Sequence, residues 1–120
     1  MRTNTLRLLL VGVVTLCAVR ENRSQSAGDL FRACTGTDRA ASTMCGMYMA
    51  GFMSGLTFEQ ITRGSGPKKI CLPEGITGQQ VQQVFEGFMR DYPKLQNEPK
   101  VDQPSLIIGM ALIRAYPCPK

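Results

Sequence analysis

The sequence predicts a small all-α domain, a bundle of four to five helices stapled by two disulfides. Three observations carry that prediction. Apolar residues recur at helical spacing in successive segments. Capping residues and Gly or Pro stand where those segments must begin and end. Four cysteines, Cys34, Cys45, Cys71 and Cys118, lie at or near the segment ends. No segment alternates apolar and polar residues well enough to compete as a strand, and the chain has no internal repeat.

The N-terminal residues 1–18, MRTNTLRLLLVGVVTLCA, bear on the compartment and so on what the cysteines do. The apolar run Leu8 to Ala18 is about 11 residues long, short of the about 20 that a membrane-spanning helix needs. It fits the hydrophobic region of a secretory signal peptide behind the positive residues Arg2 and Arg7. Leu16 stands where a lipoprotein box around Cys17 needs a small residue. The expectation is a signal peptide and short polar leader over 1–26, lost together with Cys17. One helical domain over 27–120 then remains in a bacterial periplasm, with no membrane attachment.

The chain holds 14 Lys and Arg against 9 Asp and Glu, a net charge of +5. Arg2, Arg7, Arg20, Arg23 and Glu21 all precede Ala27, so three of those positive charges leave with the leader and the domain keeps +2. No basic stripe is visible, and no nucleic-acid partner follows. An even set of four cysteines in an oxidising compartment reads as two disulfides. Zinc is the rival reading, but no Cys-x-x-Cys pair exists and histidine is absent. Neither a metal nor a cofactor is expected.

The elements follow in order. Ser26, with Asp29 three residues on, caps a helix from about Ala27 to Cys34 whose inward residues are Leu30, Phe31 and Cys34. The turn Thr35 to Asp38 ends in a capping acid. From Arg39 the residues Met44, Cys45, Tyr48, Met49, Phe52, Met53 and Leu56 recur at helical spacing, the longest helix of the chain. Its methionine-rich face reads as adaptable core packing. Gly46, Gly51 and Gly55 lie inside it, each at a cost of about 1 kcal/mol relative to alanine. Either a neighbouring helix approaches closely there, or the backbone is offered to a partner.

Residues Arg63 to Lys69, RGSGPKK, form an exposed basic loop, since two glycines and a proline exclude regular structure. Thr77 and Gln80 make a capping box, and Val81, Val84, Phe85, Phe88 and Met89 line one stripe of the next helix. Tyr92-Pro93 ends it, and a polar, proline-rich connection follows. The last helix, from Val101 or Pro104 to Tyr116, is apolar on nearly all sides and is expected to be the most buried. If the last two helices pack antiparallel, Cys71 meets Cys118. Cys34, at the end of the first helix, meets Cys45 early in the second.

Several chemistries are missing. Without histidine there is no Ser-His-Asp or Cys-His arrangement, and cysteines held in disulfides are not thiolate nucleophiles. The carboxylates Glu59, Glu74, Glu86, Asp91 and Glu98 occupy no distinctive setting. The stretch GSGPKK lacks the spacing and the preceding strand of a phosphate-binding loop. A non-enzymatic, binding role is expected.

The stretches CGMYMAGFMSG at Cys45 to Gly55, ICLPEGITGQQV at Ile70 to Val81 and ALIRAYPCP at Ala111 to Pro119 resemble the Rap/Tai immunity proteins of type VI secretion. The resemblance spans nearly the whole mature chain. One departure is Ser54, where the family pattern commonly has an aspartate. The resemblance implies a small helical periplasmic protein that neutralises a peptidoglycan amidase effector. Family members typically act as homodimers and block the cleft of a papain-like amidase with a loop and a helix.

Two loops are candidates for partner contact in that reading. The first is Arg63, Gly64, Ser65, Gly66 and Lys68, where glycine removes side-chain bulk. The second runs from Tyr92 to Val101, with Tyr92, Lys94 and Gln96 its contact candidates. Pro93 and Pro99 lower the cost of ordering it. The helix face Tyr48 to Gly55 is the next place to look. The alternative function is a general periplasmic helical stress or chaperone-like binding protein. An acid-triggered chaperone needs a dense set of carboxylates, which this chain lacks.

Overall fold

The computed structural model describes residues 26–64, 68–98 and 103–120. The expected signal peptide, Cys17, Ser65, Gly66 and the connection 99–102 lie outside the described residues. Helix α1 spans Ala27–Thr35 and opens with a capping box. The Asp29 amide donates to Ser26 Oγ at 3.1 Å, and the Ser26 amide donates to Asp29 Oδ2 at 3.2 Å. Hydrogen bonds from the Ser26 hydroxyl and from Arg32 hold the Asp29 carboxyl below its usual range. Helix α2 spans Arg39–Arg63, with the Ala41 amide donating to Asp38 at 2.9 Å. Helix α3, Gly78–Asp91, starts at the Thr77–Gln80 box. A 3-10 helix over Pro93–Asn97 leads to α4, Pro104–Ala115, which has proline in its first turn, where the missing amide costs nothing.

These elements form an all-α bundle with no strand among the described residues. Helix α1 packs against every other element, α2 and α4 each lie along α3, and the 3-10 helix closes over α1 and α3. Leu30, Met49, Val81, Phe85, Met89, Ile108 and Leu112 meet in one core. The Phe31 and Phe85 rings meet edge-on at 6.5 Å between centroids.

Both disulfides pair as the helix-end placement predicts. Cys34–Cys45 has its Cα atoms 5.2 Å apart, and Cys71–Cys118 has them 4.9 Å apart. The second one holds the segment before α3 against the chain end. There the Cys71 amide donates to the Tyr116 carbonyl at 3.0 Å, and Ile70 and Pro117 form an isolated antiparallel bridge.

Three expectations need revision. Helix α4 is not buried on all sides, since Leu106, Met110 and Ile113 are 59, 47 and 41% exposed. Among the described elements α3 and α1 are the main ones packed along it, and two neighbours cannot cover a full helix circumference. The methionine-rich helix divides its residues, with Met49 buried and Met44 and Met47 exposed. Among the described residues, a Cβ added at Gly46, Gly51 or Gly55 meets nothing within 4 Å, so no close helix there explains those glycines.

The close approach occurs at Gly28 instead. A Cβ there would stand 2.0 Å from the carbonyl oxygen of Gln96, in the 3-10 helix. Gln96 is further tied down by its side-chain amide, which donates to the Met89 carbonyl at 3.1 Å. Gly28→Ala is therefore expected to destabilise the fold by about 1–3 kcal/mol, the usual cost of overpacking, despite a gain in helix propensity. Urea titration checks this, and an unchanged midpoint would mean that the 3-10 helix is not seated on α1.

Candidate functional site

The exposed edge of α4 lies between the two candidate loops. On one side, the end of α3 and the 3-10 helix supply Tyr92, Pro93, Lys94 and Leu95, which with Phe88, Met110, Ile113 and Arg114 enclose an open recess of about 760 Å³. On the other, the last turns of α2 and the segment Lys68 to Ile70 enclose a cleft of about 230 Å³. Ile113 lines both. The two recesses thus meet at one exposed isoleucine.

Local sequence explains how each wall is held. Helix α2 ends at Gly64, whose φ of +62° lies in the left-handed region that favours glycine. In its last turn Arg63 pairs with Glu59, and Gln60 donates to the Ile70 carbonyl at 3.4 Å, tying the cleft wall to α2. Tyr92 caps α3 by donating its amide to the Phe88 carbonyl at 3.1 Å. Its ring centroid lies 4.7 Å from that of Phe88. Arg114 covers the Tyr92 ring at 5.5 Å, donates to its hydroxyl at 3.2 Å and pairs with Asp91 at 3.4 Å. The tyrosine is thereby fixed before any partner arrives.

The electrostatics are simple. Among the described residues, Arg63, Lys68, Lys69, Lys94 and Arg114 rim the two recesses against the carboxylates Glu59 and Asp91. The floor is apolar. Among the described residues no group of three His, Cys, Asp or Glu side chains comes together that could hold a metal ion. The four domain cysteines are bonded to one another. What the arrangement offers is an apolar recess inside a basic rim, suited to receiving a partner's apolar side chain.

Of the residues nominated by the sequence, Arg63, Gly64 and Lys68 line the cleft, and Tyr92 and Lys94 line the larger recess. Gln96 lies elsewhere, half-buried against Gly28 and Met89. Sequence reasoning passes over Met110, Ile113 and Arg114. In a helix so uniformly apolar, periodicity carries no phase, and Arg114 is the one charged residue marking the solvent side.

The pattern of the Rap1a immunity proteins matches residues 26–118. No curated protein and no solved structure matches the chain.

Proposed function

Because the chain belongs to the Rap1a immunity protein family, which implies binding to a cognate effector, we propose that it inhibits a peptidoglycan amidase delivered by type VI secretion. It does so as an extracytoplasmic, periplasmic protein that occupies the amidase cleft and alters no bond. A homodimer is part of this reading. Two disulfides in so small a domain support an oxidising compartment. The observation that carries the choice of surface is the convergence of two recesses on Ile113, with an apolar floor and Tyr92 already immobilised. Buried aromatic and aliphatic anchors inside a polar rim are where interfaces concentrate their energy.

The test begins with an amidase that the protein captures from a panel of peptidoglycan amidases, assayed on cross-linked muropeptides. Ile113→Asp is expected to weaken inhibition by about 30-fold or more, the loss typical of a hot spot of at least about 2 kcal/mol. Its thermal melt should stay close to wild type, because Ile113 is exposed. Lys68→Glu and Lys94→Glu should each weaken inhibition less and reduce its salt dependence, as rim charges do. Full inhibition by all three variants would remove the α4 edge from the interface. Inhibition of no amidase by the wild-type protein would end the proposal.

A further inference from the structure

We infer that the outer face of α2 is the surface on which two copies of this chain pair, antiparallel about a two-fold axis near Gly51 and Gly55. The inference rests on the proposed reading of a dimeric inhibitor and adds the surface and its geometry. Helix α2 is apolar on two faces. The inner one, through Cys45 and Met49, enters the core. The outer one leaves Met44 55%, Met47 70%, Phe58 69% and Ile61 74% exposed. These four large apolar side chains stand in water in two pairs, one on either side of Gly51 and Gly55, and exposed apolar surface of this kind marks an interaction site. A two-fold axis would bury both pairs from each copy, and a specific interface must clear about 1,000 Å².

The order of residues along this face selects a second copy as the occupant. Read from either end it runs two large apolar residues, two small ones and two large apolar ones: Met44, Met47, Gly51, Gly55, Phe58, Ile61. A two-fold interface requires a surface that complements its own inversion. In an antiparallel pair Met44 faces the partner's Ile61, Met47 faces the partner's Phe58, and the glycines face each other at the crossing. A Cβ at Gly51 or Gly55 would meet nothing within 4 Å among the described residues of the single chain, which leaves room there for a second backbone.

Charge and hydrogen bonding agree with this. Between Arg39 and Glu59 the helix carries no charged residue, so like charges do not oppose one another across the axis. The hydroxyls of Thr43, Ser54 and Thr62 donate to carbonyls of the same helix at 2.9, 3.0 and 3.0 Å. Covering them leaves no donor stranded. Glu59 and Arg63, with Leu56 and Gln60, line the cleft on the opposite flank of α2. A dimer formed this way keeps both α4 edges open.

Sedimentation velocity on the protein isolated from the periplasm tests this. Wild type is expected at twice the chain mass at tens of micromolar, and Met47→Glu with Phe58→Glu at the single-chain mass. Gly51→Leu with Gly55→Leu should also give the single-chain mass while keeping or raising the thermal midpoint, since leucine favours helix and the monomer has space for it. Met47→Cys with Phe58→Cys should give a covalently linked dimer on mild oxidation. A monomeric wild type, or a dimer that survives both pairs of changes, overturns the inference. So does an unchanged mass combined with lost amidase inhibition, which would give the face to the effector. Failure of the α4 reading is separate, because Ile113→Asp is judged by inhibition and leaves the mass untouched.

Discussion

Replacing Cys71 and Cys118 together with serine is expected to lower the stability of the domain by about 4 kcal/mol, against about 3 kcal/mol for the same change at Cys34 and Cys45. The difference follows from the loops closed, with sequence separations of 47 and 11 residues. The longer loop restricts the unfolded chain more, so its release raises unfolded entropy more. A loss of this size rivals the about 5–15 kcal/mol by which domains are stable at all. It also frees the contacts of Ile70 and Cys71 with Tyr116 and Pro117, and Ile70 walls the cleft beside α4. Guanidinium titrations of the two double variants measure the effect. The m-value should rise in both, since an unfolded chain without its cross-link exposes more surface. A greater loss from the Cys34 and Cys45 pair would show that native contacts around that bond, and not loop closure, set the ranking.

Phe85→Ala is expected to cost about 3–5 kcal/mol, the range for removing a buried aromatic side chain. Phe85 is the largest of the fully buried side chains, at 0% exposure. It stands on α3, beside the Phe31 ring of α1. The cavity left behind opens where α1 meets α3, so little can collapse into it. Phe58→Ala supplies the contrast, because the same side chain is exposed on the outer face of α2. Measured at protein concentrations low enough to be monomeric, it should change stability by no more than about 0.5 kcal/mol. Equal effects at the two positions would contradict the core described here.

Local rules account for much of the fold. The capping pairs Ser26 with Asp29 and Thr77 with Gln80 start helices where the sequence places them. Pro93 and Pro104 bound α3 and α4 within a residue or two of the positions they predict. The stripe Val81, Phe85, Phe88 and Met89 faces inward as its spacing requires. The disulfide pairing needs one tertiary premise besides the cysteine positions, that neighbouring helices run antiparallel.

The site was less legible. Its two loops carry glycine, proline and charge, and those mark them locally. Their meeting around Ile113 does not show in the chain order, because Arg63 and Tyr92 are brought to one helix edge by packing at a distance. Helix α4 gives no sign of its open side beyond Arg114.

Caps and helix limits are interactions between residues close in sequence, and the amino-acid order states them directly. Which apolar face is covered depends on how many neighbours a helix finds. Met49 and Met47 are two positions apart on one helix and chemically identical, yet one is in the core and the other in water. Burial is a property of the assembled bundle, and in a domain of this size there are too few helices to cover every apolar face the sequence writes. The faces left over, on α4 and on the outside of α2, are the ones proposed above for partner binding.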